Sequence, residues 1–197
     1  MDCLQTLLNN PQFTNSLDFS PYRVFTTAQC LVQVCSEWMS SDVAWKVQVG
    51  IYLHGLEQRC LSLACSEQTE LPEGACVLGV ILSSDKTHVT NQSGGKVSHP
   101  LLMSLANIHA EVQAKASLHA FVPIVFLFIT EFIHNDQQMQ GILRDHLYHQ
   151  CLDIVMNPLK IAACIGIMVS DPLGKNWYCF TPLIIVDMPE ACLIACV

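Results

Sequence analysis

The chain has 197 residues, 51% of them hydrophobic and 13% charged, enough apolar material for one full domain plus an appendage, which excludes global disorder. Its formal charge of -8 comes from 17 acidic against 9 basic residues, and the nine are scattered from Arg23 to Lys175 without a cluster, a poor electrostatic footprint for a nucleic-acid partner. Eleven cysteines is a high and odd count. They are irregularly spaced, and the start of the chain lacks a basic signal region, so we read them as reduced intracellular thiols, mostly small buried hydrophobes. Cys30/Cys35, Cys60/Cys65 and Cys192/Cys196 lack the two-residue separation of zinc knuckles.

In chain order, residues 1–48 read as a helical appendage. A short helix over 2–8 is stopped by Asn9, Asn10 and Pro11, and SPYR at 20–23 is a turn. From Thr27 onward Leu31, Val34, Cys35, Trp38 and Met39 recur at three- and four-residue intervals and predict a helix. Residues 49–70 are an irregular insertion or linker, with a candidate strand at 50–54 and a candidate short helix at 56–65. Pro72, Glu73 and Gly74 then form a turn that opens the main domain, 71–197.

That domain starts with VLGVILSSDKT (77–87), an unbroken apolar run of the kind found in strands buried on both faces, ending in the carboxylate Asp85. Turn chemistry at Asn91, Ser93, Gly94 and Gly95 leads to a second strand at 101–105. Residues 108–117 form a loop or a single helical turn, and the third strand covers 119–129. Pro123 has no ladder donor, so this strand belongs at an edge or carries a bulge. The apolar window 121–130 is about half the ~20 residues of a spanning helix and predicts a buried strand rather than a membrane segment.

Asp136 is a helix N-cap ahead of Ile142, Leu143, Leu147, Cys151, Leu152, Val155 and Leu159, which share one apolar face. Pro158 should kink or interrupt this helix and Gly166 should end it. DPLGK makes a hairpin turn, and CFTPLIIVDMPE (179–190) is a last strand that delivers Asp187. The result is an α/β fold: a three-stranded meander, a long helix, and a fourth strand brought back parallel to the first. In that arrangement Asp85 and Asp187 meet at one sheet end. Two ionised carboxylates at ~4 Å repel by on the order of 4 kcal/mol at an effective dielectric near 20. A divalent cation between them removes that cost, and oxygen-only ligands on strand ends suit Mg2+ or Mn2+. Both aspartates also have a plain structural reading, as a turn cap before Thr87 and as a helix cap before Pro189.

ILSSDKT, HPLLMSLANI, KASLHAFVPIVFL, HQCLDIVMNPLK, GIMVSDPLG, YCFTPL and IVDMPEACLIACV, with NNPQFTNSLDFSPYRVFTTA and SEWMSSDVAW nearer the start, resemble the transposase-like proteins of fungal Plavaka elements, relatives of the CACTA transposons. The resemblance covers nearly all of 71–197. It implies a DDE/D-type transposase core of RNase H-like fold, partial here, with Asp85 and Asp187 as catalytic metal ligands. It also implies DNA as partner, a nuclear location, and Mg2+ or Mn2+ in the ancestral enzyme. The family's third acidic ligand lies further downstream than Val197, residues 49–70 have no counterpart, and HAEVQAKAS is nearly neutral where relatives are basic. The expectation is therefore a truncated, inactive copy that holds no metal. The alternatives are a non-catalytic module that recruits a partner or its own copy through an unfinished sheet edge, or a functionless transposon-derived product.

Other candidates are weaker. His146 and His149 share a helix face without a third ligand, and His119 and His134 stand apart from them. Gly94 and Gly95 lack the GKS/T ending of a phosphate loop. A nucleophilic cysteine needs a positioned histidine, which sequence cannot supply.

Overall fold

The computed structural model describes residues 2–26, 29, 32–53, 75–84, 87–88, 97–127, 132–181 and 183–185. Helix α1 (Asp2–Leu8) buries Leu4, Leu7 and Leu8. Asn10 stops it as the sequence predicts. Its side chain accepts from the Gln12 N–H at 3.0 Å and opens the 3-10 turn Pro11–Phe13, which seats Phe13 in the core. All four of these apolar side chains join the same core as the sheet strands.

Among the described residues the helix predicted from Thr27 is not there; Thr27, Ala28, Cys30 and Leu31 lie outside them. Val24–Phe25 (β1) pairs antiparallel with Gln33–Val34 (β2), and Trp38–Ser40 is a 3-10 turn. Helix α2 begins only at Asp42 and runs over Asp42–Leu53. The physical reason is the start signal. Ser41 Oγ accepts from the Ala44 N–H at 3.2 Å, and the Glu37 N–H donates to Ser40 Oγ at 3.1 Å to close the preceding turn. Apolar spacing without a cap upstream of it did not suffice. Helix α2 also occupies residues 50–53, where a strand at 50–54 was the expectation, and it runs across the 48/49 position. The candidate helix at 56–65 and the turn at 72–74 lie outside the described residues.

The long first strand is divided. Cys76–Val77 (β3) is separated from Val80–Ser84 (β4) by Leu78 and Gly79. Thr87–His88 (β5) and Val97–Ser98 (β6) pair antiparallel, the closing rungs of the expected hairpin, whose turn residues fall outside the described set. Pro100–Leu105 (β7) returns antiparallel along β4. A short helix α3 (Ala110–Gln113) and a 3-10 turn (Ala116–Leu118) lead to Val122–Phe126 (β8), the edge strand beside β7. Pro123 pairs with Leu102 next to a register shift at Leu101/Leu102, so both the edge and the bulge are present. The strand is not buried, however: Phe126 is 65% exposed. A Pro-bearing edge strand covers one flank of its neighbour and leaves its own outer side uncovered.

Asp136 caps helix α4 (Gln137–Ile165) by accepting from the Gln138 N–H at 2.9 Å. Pro158 does not interrupt it. The exposed proline lies between Leu152, Met156 and Ala162, whose burial on either side holds the helix together across the missing donor. Gly166, at φ 72°, ends it, and any Cβ there would meet the Tyr178 ring at 2.6 Å. Ile167–Ser170 (β9) and Asn176–Phe180 (β10) then form the predicted hairpin, and Leu183–Ile185 (β11) follows.

One sheet has the order β11-β4-β7-β8 and another β3-β10-β9. The two interrupted strands stay side by side through both. Cys76 pairs with Cys179 and Val77 with Phe180, parallel; beyond the break Val80 pairs with Leu183 and Leu82 with Ile185, parallel again and at the same separation of 103 residues. The Leu78 N–H donates to the Phe180 carbonyl at 2.8 Å and bridges the interruption. The fourth strand thus lies beside the first and parallel to it, as the connection lengths predict. Val80, Leu82, Leu101, Met103 and Leu105 share one sheet face and pack with α1 and with Leu152 and Met156 of α4. The architecture is mixed α/β.

Candidate functional site

Asp85 and Asp187 lie outside the described residues. What the structure does describe is the pair of strands leading to them: β4 ends at Ser84, the residue before Asp85, and β11 ends at Ile185, two residues before Asp187. These strands are hydrogen-bonded neighbours running in the same direction.

Around the carboxyl end of β4 a polar cluster is built into the core. Ser84 Oγ lies 2.6 Å from His99 Nε2. Tyr148 of α4 stacks over the His99 ring, with centroids 6.0 Å apart and planes at 18°, and His149 meets Tyr148 edge-on at 5.8 Å. Histidine His99 was not among the sequence candidates. Its available signal was position: it stands directly before Pro100, at the start of the strand that pairs with the Asp85 strand.

A second buried polar residue fixes the amino end of the same strand. Asn107, 1% exposed, accepts from the Gly79 N–H through Oδ1 at 2.9 Å and donates through Nδ2 to the carbonyls of Val77 (2.9 Å) and Asp18 (2.7 Å). The carboxamide acts as a substitute peptide group at the place where the strand leaves one sheet for the other. The Asp18 N–H returns a bond to the Asn107 carbonyl at 3.0 Å, and His109 Nε2 lies 2.9 Å from Asp18 Oδ2, so the N-terminal segment is tied to the end of β7.

The remaining candidates have structural roles. His134 Nδ1 accepts from the Asp136 N–H, His146 Nε2 lies 3.1 Å from Gln150 Nε2, and His119 takes a left-handed turn position at φ 51°. Cys76 and Cys179 are buried strand partners whose thiols are pushed up, Cys179 by burial first and by Cys76 second, which keeps both protonated and unreactive. Gly94 and Gly95 lie outside the described residues. Among the described residues no group of three or more His, Cys, Asp or Glu is placed to hold a metal ion, and no helix is long and apolar enough to cross a membrane.

A family model described as Plavaka transposase matches residues 1–197, the whole chain. The chain belongs to this family. No curated protein and no solved structure matches it. The Plavaka-like segments fall on the elements that meet at the paired strands. ILSSDKT contains the end of β4, HPLLMSLANI contains His99, β7 and Asn107, HQCLDIVMNPLK is the better-buried part of α4, and YCFTPL leads from β10 into β11. In this Plavaka chain the resembling motifs are therefore neighbours in space as well as in order.

Proposed function

We propose that the chain carries the core of a DDE/D-type transposase, RNase H-like in topology, whose ancestral reaction is divalent-metal-dependent cleavage and transfer of DNA strands in the nucleus, with Asp85 and Asp187 as metal-binding carboxylates. The observation that supports it most is the constant parallel register of the two aspartate-bearing segments through β3/β10 and β4/β11. An antiparallel meander β4-β7-β8, then α4, then β11 parallel to β4 is the strand order such a core needs.

The donor chemistry fits a hard cation: two carboxylates that follow adjacent strands in the sequence, with the nearby His99 imidazole already bonded to Ser84. Bound there, Mg2+ or Mn2+ would polarise a phosphodiester and stabilise its charge. The chain's own part is to hold two like charges together on a stiff support, and that repulsion favours ion uptake. The resemblance led to the expectation of a copy that holds no metal. We propose that a residual affinity of the pair for an ion survives, a reading supported by the parallel register of the strands that lead to it. The acidic balance and the scattered basic residues oppose DNA binding, and we infer that this chain does not cleave DNA on its own.

Manganese titration followed by electron paramagnetic resonance, with a plasmid-nicking assay in parallel, tests both halves. Mn2+ should bind, Asp85→Asn and Asp187→Asn should each abolish most of that binding, and nicking should stay at background. Binding that neither substitution alters removes the carboxylate site. Strong nicking lost in Asp85→Asn removes the claim of inactivity.

A second reading rests on β8. Among the described residues its outer side pairs with no strand, and Phe126 is exposed there, which suits self-association of a non-catalytic module through a sheet edge. Sedimentation velocity tests it.

A further inference from the structure

Helix α4 is apolar on two opposite sides. One side carries the buried Leu152 and Met156 and the partly buried Tyr148, Val155 and Leu159, all of which pack with the sheet core. The other side faces away from it. Leu143, Leu147, Gln150, Ile154, Asn157 and Ile161 follow one another at alternating steps of four and three residues, a single stripe with the 3.5-residue period of a coiled-coil seam. None of them is buried. Leu143 and Leu147 are half-buried, Gln150 and Asn157 are exposed, and Ile154 and Ile161 are 77% and 50% exposed. A helix that is apolar all round belongs in an interior, so the outer stripe calls for a cover. Pro158 falls beside the stripe and leaves its positions intact.

We propose that this stripe is a dimer interface whose occupant is α4 of a second copy of the chain, parallel and in register. The order of side chains selects that partner. With Leu147, Ile154 and Ile161 at a positions and Leu143, Gln150 and Asn157 at d, a parallel copy sets every layer against itself, apolar on apolar and polar on polar. An antiparallel copy sets a against d, and an isoleucine then meets Gln150 or Asn157. Isoleucine at a also favours two strands over more. The flanks agree. Each g residue of one helix meets the e residue five positions on in the other, which puts His146 by Cys151, Asp153 by Pro158 and Lys160 by Ile165, so no like charges meet. Asp153 and Lys160 are already paired along their own helix at 2.6 Å. From Met139 to Ile165, both exposed at the flanks of the stripe, the face runs about 39 Å, long enough for the roughly 1,200 Å² of total buried area at which specific interfaces begin. The surface is independent of the two aspartates and of the β8 edge.

Sedimentation velocity on the full chain tests this, with a thermal melt to show that each variant folds. The parent should dimerise at about 1–100 µM. Ile154→Lys, Ile154→Glu and Ile161→Lys each put a charge into the seam and should weaken the dimer at least about tenfold. An equimolar mixture of Ile154→Lys and Ile154→Glu should dimerise more tightly than either variant alone, because a parallel pair sets position 154 against itself. Asn157→Leu exchanges a polar layer for an apolar one and should tighten the dimer about tenfold or more, a gain that misfolding does not produce. Phe126→Lys, on the β8 edge, should leave the dimer as it is. A parent chain that stays monomeric to about 100 µM overturns the inference. So does a dimer that ignores the Ile154 and Ile161 variants, or one that Phe126→Lys dissolves in their place. A mixture no tighter than its components overturns the parallel arrangement. Should the charged variants fail to fold, Asn157→Leu decides, and a dimer that it leaves unchanged or loosens overturns the buried seam.

Discussion

At the scale of single residues, Asn107 shows how much one buried amide can fix. Its carboxamide satisfies a donor and two acceptors that the interrupted strand and the N-terminal segment cannot satisfy from their own ladders. Asn107→Ala leaves those groups buried without partners, each at about 1–3 kcal/mol, so the variant should lose at least about 3 kcal/mol in urea denaturation. Asn107→Asp should be worse, because a carboxylate keeps the acceptor for Gly79 but faces two carbonyls it cannot donate to. A loss below about 1 kcal/mol in Asn107→Ala would remove this role. None of this was visible in the sequence, where Asn107 falls between the second strand and the following loop. The apolar pattern shows which residues are buried, whereas the partners of a buried amide come from segments far away along the chain.

Among the elements, the β9/β10 hairpin is both well predicted and well explained. Asp171 Oδ1 accepts from the N–H groups of Leu173 and Lys175 at 2.9 Å each, and Trp177 Nε1 donates to Oδ2 at 3.0 Å. Trp177 in turn stacks on Phe19 with centroids 4.5 Å apart, and the Lys175 ammonium sits 3.7 Å over its ring. The Trp177 bond, helped by the backbone donors and Lys175, holds the Asp171 carboxyl below its ordinary range against the opposing effect of burial. A lowered folded value means that the contribution to stability is complete above the unfolded value of about 3.9 and is lost as pH falls below it through the folded value. Asp171→Asn should therefore be less stable than the parent at pH 6, and the gap should narrow as pH falls from about 4 toward 2.5. Urea midpoints across that range check it, and a gap independent of pH would refute it. The turn was legible because DPLG carries its own conformational instructions. The helix expected from Thr27 was misread for the converse reason: its spacing was helical, but the hydrogen bonds that start a helix are made at Ser41.

For the molecule as a whole, the sheet order and the parallel return of the last strand follow from link lengths and were legible in advance. The division of both aspartate-bearing strands between two sheets was not, since Leu78 and Gly79 look like two more residues of an apolar run. His99 was missed for a related reason, being a lone histidine until the fold sets it against Ser84. The β8 edge, which among the described residues pairs with no further strand, bears on the state of the protein in solution. If that edge joins copies, sedimentation velocity should show a concentration-dependent dimer, and Phe126→Lys should return it to monomer, since a charge on an edge opposes strand addition. A monomer at all concentrations for the parent chain would eliminate association through β8.

The maintained register also sets a sequence of events in time. Joining β4 to β11 closes a loop of roughly 100 residues, an entropic cost of about 4 kcal/mol before any contact offsets it, while β4, β7 and β8 pair through short links. The meander can form as soon as it leaves the ribosome. The parallel pair must wait until α4 and the β9/β10 hairpin have been made, so a nascent chain presents half of the proposed centre and completes it only at the end of folding.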